Sequence, residues 1–344
     1  MNIKNNKSKL SILLIGAKGC SVSEGLLKCL RNAKYENITI LEHSKNAAHI
    51  YRVDNYLITN KTPDDGEDYI DNLITICKEN NIDVVLPGST WEARIISEFK
   101  DKLNKSNIIT LVNNIETITI GDDKWNTYEY LSKLGIGTPE TFLDIEEVVN
   151  NEKTTYPIII KPRQGRGSQN IFIAQNEIEL RIICDYFVIK GLNYIIQEFI
   201  GRNDHEYTVG VISDKNGKVI QSIVMKRLLL GGATGYAEVC EPGFINEFCE
   251  DVARKVNSTG PINIQLRLDN NNKPSLFEIN PRFSGSAPMR TLAGFNEPQM
   301  IINNFFYDEE IAQQKISYGN KYYRAFQEIE IPKNSEKGQI SNLL

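Results

Sequence analysis

No Cys-x-x-Cys pair occurs among the six cysteines of this chain, Cys20, Cys29, Cys77, Cys184, Cys240 and Cys249, so neither a zinc site nor a redox couple is indicated. Isolated cysteines in a long chain are expected as small buried apolar residues, which suits a reducing compartment. No apolar run is long enough to span a bilayer. The polar start, Met1 to Lys9, leads straight into a strand, so no leader, no membrane partner and a cytoplasmic location are expected. No Lys/Arg run with interleaved aromatics occurs, and the net charge of -5 is evenly mixed, which argues against a nucleic-acid partner. There is no internal repeat, no low-complexity block and no G-x-x-x-x-G-K-[ST] phosphate loop.

What is present is a chain of 344 residues, long enough for two or three packed units. Residues 10–112 alternate strand-like and helical patterns: strands at 11–15, 38–41, 83–87 and 108–112, with helices near 23–32 and 66–80. Such alternation predicts a parallel, Rossmann-like sheet. The glycines Gly16, Gly19 and Gly25 do not make G-x-G-x-x-G, although Glu42 at the end of the second strand suits a ribose. An NAD-dependent oxidoreductase is therefore the rival reading.

A second unit begins near Asn113. Asp122 is placed to cap a helix running to Leu134, with Gly135 as its stop and Trp125, Tyr128, Leu131 and Leu134 as its core face. Lys124 in the first turn opposes the helix dipole, which points to an anion nearby. Strands at 156–161 and 170–174 flank the glycine-rich loop Pro162-Arg-Gln-Gly-Arg-Gly-Ser168, and a helix at 177–190 and a strand at 194–200 follow. Strand–loop–strand predicts a hairpin lid whose glycines expose backbone N–H groups to phosphate. A third unit holds strands at 206–213 and 219–225, and the end, 333–344, reads as a tail.

The segment from Asn263 to Arg282 is the most informative. Two alternating runs flank Asp269-Asn-Asn-Asn-Lys-Pro274, a turn-forming stretch, so a β-hairpin is predicted. Centring its turn at Asn271–Asn272 puts Gln265 opposite Glu278 and Asn263 opposite Asn280. The period of two then sends Ile264, Leu266, Leu268, Phe277 and Ile279 to one face. Asn263, Gln265, Arg267, Glu278 and Asn280 go to the other. Magnesium takes hard oxygen ligands, few of them from protein, and Gln265, Glu278 and Asn280 offer them, with Arg282 just beyond for phosphate charge.

At these residues the chain resembles the ATP-grasp superfamily, in its carbamoyl-phosphate-synthetase-like branch. The strings carrying the resemblance are Asp123-Lys124, Leu134-Gly-Ile-Gly-Thr-Pro139, Tyr156-Pro-Ile-Ile-Ile-Lys-Pro162, Gly165-Arg-Gly-Ser168, Gln197-Glu-Phe-Ile-Gly201, Glu206-Tyr-Thr208, Gly260-Pro-Ile-Asn-Ile-Gln265 and Phe277-Glu-Ile-Asn-Pro-Arg-Phe-Ser-Gly-Ser286. They follow the family's order over nearly all of 10–310. The resemblance implies a Rossmann-like pre-ATP-grasp domain over 1–113, a small lid subdomain over 114–190 and a larger subdomain with the metal site over 191–332, an α/β and α+β architecture.

It further implies that Lys124 and Lys161 hold ATP phosphates and that Gly165, Gly167 and Ser168 form the mobile phosphate loop. Gln197, Glu198 and Ile200 would read adenine and Glu206 the ribose. Gln265, Glu278 and Asn280 would bind Mg2+ or Mn2+, with Arg282 and Lys161 catalytic. Lys226, Arg227 and Arg290 are candidates for the acceptor site. The implied activity is ATP-dependent activation of a small-molecule carboxylate as an acyl phosphate and its transfer to an amine or other nucleophile, in a protein expected as a homodimer. A half carbamoyl phosphate synthetase or a silent ATP-binding module is the alternative. The tandem halves of those synthetases are absent here, and Gly285 stands where their motif Asn-Pro-Arg-Val-Ser-Arg has its second arginine.

Overall fold

The structure is a computed structural model that describes residues 9–16, 21–165, 169–201, 206–325, 328 and 330. The first domain runs β1 (Ile12–Ile15), α1 (Ser21–Asn32), β2 (Ile38–Glu42), β3 (Asn55–Ile58), α2 (Glu67–Glu79), β4 (Val84–Pro87), α3 (Thr90–Glu98), α4 (Lys100–Lys105) and β5 (Ile109–Thr110). Its strands β1, β2 and β4 are buried along their whole length, as parallel strands covered on both faces must be. The parallel sheet has the order β3-β2-β1-β4-β5, with Ile12 beside both Ile38 and Val84. The chain leaves β1 toward one edge and returns through β4 to the other. A crevice therefore opens beyond the carboxyl ends of β1 and β4, where such sheets bind ligands. β3 was not expected from the sequence, because this edge strand carries only the short run Tyr56-Leu57-Ile58 and none of its residues is buried.

Two helices follow, α5 (Ile115–Asp122) and α6 (Lys124–Lys133), and both pack on the sheet of the last domain. The cap of α6 is Asp123, not Asp122: the Asp123 side chain accepts the Trp125 and Asn126 N–H groups, whereas Asp122 pairs with Arg94 at 3.0 Å. Of its expected core face only Leu131 is buried, and Leu134 is exposed. The helix rests one edge on the sheet, so its apolar stripe is only partly covered.

The lid comprises β6 (Thr141–Phe142), α7 (Ile145–Val149), β7 (Ile158–Pro162), β8 (Phe172–Ala174), α8 (Glu177–Ile189) and β9 (Tyr194–Glu198). Its sheet has the order β6-β9-β7-β8, so β9 belongs to the lid and the division falls after it rather than at 191. The lid has a small core of its own around Val148, Ile160, Leu180 and Phe187.

The body is built on β10 (Glu206–Ser213), β11 (Val219–Leu230), β12 (Ala233–Val239), α9 (Phe244–Lys255), β13 (Pro261–Leu268), β14 (Pro274–Asn280), α10 (Ala287–Leu292), α11 (Glu297–Phe305) and β15 (Lys321–Tyr323). Its antiparallel sheet has the order β14-β13-β10-β11-β12-β15. One face carries α9; from the other, Ile212, Ile223 and Met225 join a core that continues through Phe283 and Phe295 into Leu26 and Ile12 of the first domain. First domain and body thus share one hydrophobic core. Among the described cysteines, Cys29, Cys77, Cys184 and Cys249 are buried, as expected of small apolar residues, and Cys240 is half-buried.

Candidate active site

A cavity of about 570 Å³ lies where the three units meet. The lid contributes Lys161, Gly165 and Ile171, α6 contributes Lys124, and the body contributes Arg227, Gln265, Glu278, Asn280 and Arg282. The first domain contributes Gly16, His43, Ser89 and Glu92 from the ends of β1, β2 and β4.

The hairpin β13–β14 pairs Asn263 with Asn280 and Gln265 with Glu278, the pairing that alternation predicts. One step further a bulge shifts the register, so that Leu266 faces Leu276 instead of Phe277. Leu276 takes the core position expected for Phe277, which is left half-buried. A bulge re-aims the residues beside it. Here the Phe277 ring lies 5.2 Å from the Lys161 ammonium and its carbonyl 3.5 Å from the same atom.

Lys161 is only 4% exposed. Burial pulls its pKa down to about 7, the Lys124 charge adds to the fall, and Glu278 opposes it. Lys124 stands at the helix start with its ammonium 3.4 Å from the Arg163 carbonyl. The Glu278 carboxylate is half-buried and has no hydrogen-bond partner among the described residues. Gln265 Oε1 accepts from Arg227 at 2.7 Å, and Asn280 Oδ1 from Arg282 at 3.0 Å. Each of these amide oxygens keeps a second lone pair. One carboxylate with two amide oxygens facing this cavity fits magnesium, which draws most of its ligands from phosphates and water. Arg282 also donates to Thr90 Oγ1 at 2.9 Å and so ties body to first domain.

Other expected residues sit elsewhere. Glu206 is buried in a double ion pair, with Arg227 at 2.8 Å and Arg267 at 2.9 Å. Burial alone would raise its pKa, but the two guanidiniums outweigh burial and hold it below the ordinary carboxylate value. Gln197 turns inward to donate to Thr141 at 2.8 Å, Glu198 is exposed, and Ile200 offers its carbonyl to Arg267 at 3.5 Å. Gln197 and Glu198 line a separate small cavity in the lid. Arg227 lines the main cavity, while Lys226, next to it on β11, points to the other face of the sheet. Arg290 is not a cavity residue: it is fully buried, with Glu297 at 2.8 Å, Asn263 at 2.6 Å and Thr208 at 3.1 Å around it. Gly167 and Ser168 lie outside the described residues.

The ribose role considered for Glu42 fails, because its carboxylate is fully buried beside His49 at 2.8 Å. Gly16 has a steric reason to be glycine. Its φ of +73° favours glycine, and a Cβ there would run into the Glu92 carboxylate. Ser89 and Glu92 went unnoticed in the sequence. Their signal was a capping box, S-x-x-E, opening a helix directly after a strand; Ser89 does cap α3.

Three protein-family models match the chain. A PylC-like N-terminal domain matches residues 12–112. A RimK-like ATP-grasp domain matches 121–225, and a family described as ATP-grasp in the biosynthetic pathway with Ter operon matches 193–325. The chain is an ATP-grasp protein. Among curated relatives, the alpha-aminoadipate–LysW ligase LysX of Sulfurisphaera tokodaii is 29% identical over 51% of this chain and 63% of its own length. The arginine-specific carbamoyl phosphate synthase large chain of Bacillus subtilis is 21% identical over 83% of this chain but only 29% of its own. This ATP-grasp chain thus spans less than two thirds of either. Among solved structures, the biotin carboxylase domain of Hydrogenobacter thermophilus 2-oxoglutarate carboxylase, solved with MgADP, superposes with a TM-score of 0.69 at 16% identity, over 90% of this chain and 73% of that one. Campylobacter jejuni biotin carboxylase does so with 0.68 at 16% identity, over 91% and 75%. These likenesses establish the ATP-grasp fold, a Rossmann-like domain followed by two antiparallel sheets that enclose the cavity.

Proposed function

We propose that this ATP-grasp protein is a magnesium-dependent ligase that phosphorylates a small-molecule carboxylate with ATP and passes the acyl group to an amine or other nucleophile. The observation that carries the reading is the opposition, across one cavity, of the oxygen face Gln265–Glu278–Asn280 and the buried cation Lys161. Lys161 and Lys124 would take the phosphate chain, with Gly165, Gly167 and Ser168 proposed as further phosphate contacts. The base-reading role expected of Gln197, Glu198 and Ile200 would fall to their backbone, since the Gln197 side chain is engaged with Thr141 and Glu198 is exposed, and Glu206 would have to exchange one of its two guanidiniums to reach a ribose. Glu278, Gln265 and Asn280 would hold Mg2+ or Mn2+, which when bound would supply charge neutralisation for the ADP leaving group. Arg282, hydrogen-bonded to Asn280 and Thr90, would steady the transferring phosphoryl group. A carboxylate oxygen attacks the γ-phosphorus, ADP leaves, and the acyl phosphate is captured by the nucleophile with release of phosphate.

Arg227 remains a candidate for the acceptor site. Relatives such as LysX are named as ligases, which supports the C–N bond-forming class. Among the described residues no helix is long and apolar enough to cross a membrane, which accords with a proposed cytoplasmic enzyme. A homodimer is proposed as its assembly, checked by light scattering after size exclusion. The test of the reaction is product analysis with a carboxylate and amine panel. ADP and phosphate should appear, hydroxylamine should trap a hydroxamate, and oxygen-18 from the carboxylate should enter the phosphate. AMP as product, or unlabelled phosphate, would sink the reading.

A further inference from the structure

Arg324 follows β15 directly and was not singled out in the sequence. Its backbone N–H donates to the Gly235 carbonyl at 2.8 Å, extending the β12–β15 edge by one step and fixing where the side chain begins. The guanidinium enters the cavity wall and donates to the Gly285 carbonyl. A guanidinium carries five N–H donors. Among the described residues Arg324 has no other side-chain hydrogen bond and no carboxylate partner. Arg227, Arg267 and Arg290 all have one. Burial lowers the Arg324 pKa, and among the described residues no anion opposes it. An arginine drawn partly out of water without a counter-charge stands at an energetic loss that an incoming anion would reverse.

The surroundings leave room for that anion. Gly285, under the guanidinium, has no side chain, and Gly231 and Gly232 turn the strand beside it without adding any. Thr234 and Ser286 hydroxyls, 2.9 Å apart, stand at the same wall. The phosphate-facing cations Lys124 and Lys161 belong to α6 and the lid, whereas Arg324 comes from the far edge strand of the body. Its planar fork matches the two oxygens of a carboxylate. We infer that Arg324 anchors a carboxylate-binding subsite for the acyl donor, built with the Thr234–Ser286 hydroxyl pair over side-chain-free Gly285. This rests on the proposed carboxylate activation. The bound group is either the carboxylate that reacts or a second acidic group of the same molecule.

The test uses the full chain loaded with Mg·ADP. Calorimetry reads binding of monocarboxylates, dicarboxylates and acidic and neutral α-amino acids, each beside its amide. At least one acid should bind where its amide does not, and Arg324→Met should weaken that acid about tenfold to a hundredfold. Arg324→Lys, which keeps charge but not the fork, should recover part of the loss; it also serves if the methionine variant melts early. Mg·ADP affinity should stay within about twofold in both variants. If a monoacid suffices, the reacting carboxylate is the ligand; if only diacids bind, a second acidic group is. The inference is overturned if Arg324→Met and wild type bind the acid within about threefold, if Mg·ADP weakens as much as the acid, or if no acid binds by ~10 mM. Failure of the activation reading looks different: no ADP release with any acid, while acid binding still depends on Arg324.

Discussion

Lys161 in the lid and Arg290 in the body are both cations taken out of water. Arg290 meets Glu297 at 2.8 Å, and Asn263 and Thr208 occupy its other edge. Lys161 meets a carbonyl at 3.5 Å and the Phe277 ring at 5.2 Å. The matched charge belongs to the fold: it braces Asn263 and, through it, the back of the oxygen face. The unmatched charge faces the cavity and is held near neutrality until a polyanion arrives. Burial alone therefore does not separate a structural cation from a functional one; the partner does.

The sharpest way to break the comparison is Arg290→Met. It should leave Glu297 buried without its cation and cost about 3–5 kcal/mol, read by urea unfolding. Adding Glu297→Leu should recover much of the loss. A cost under about 1 kcal/mol would mean that Arg290 is not a structural charge. Next in size, Glu278→Gln and Asn280→Ala should each lower turnover at least about a hundredfold, ~2.7 kcal/mol of barrier, with the melting temperature kept. Activity within about threefold of wild type would remove them from the metal site.

A smaller effect is expected of Lys161→Met. ATP should weaken about tenfold while adenosine binds as before, because the ammonium meets phosphate and not base. The proton count sharpens this. With its pKa at about 7 against an ordinary 10.5, Lys161 in the empty protein is largely neutral at pH 8. The folded state then holds fewer protons than the unfolded one between those values, so empty-protein stability rises with pH across that window. Phosphates lift the pKa again, so nucleotide binding at pH 8 should take up protons, seen as buffer-dependent heats in calorimetry. The uptake should vanish in Lys161→Met; equal uptake in both would assign the proton elsewhere.

Local periodicity made part of this legible. Gln265 opposite Glu278 follows from alternation about one turn, a constraint carried within 20 residues of chain from Asn263 to Arg282. The buried strands β1, β2 and β4 show as apolar runs for the same reason. The helix start at Lys124 was visible too, although the cap shifted by one residue, since adjacent aspartates are equivalent until the backbone chooses. Edge strands β3 and β15 were not visible, because neither needs an apolar face to be held by its neighbour.

The amino-acid sequence by itself determined the parallel first domain and the hairpin with its oxygen face, both set by spacing between residues close in the chain. Only the tertiary structure decided which charges are matched. Glu206 met Arg227 and Arg267, Arg290 met Glu297, the bulge beside Phe277 carried its carbonyl to Lys161, and Arg324 came to Gly285 across 39 positions. Pairing of a charge is a property of distance in space. Between residues far apart in the chain, that distance is fixed only when the sheets pack and the shared core closes.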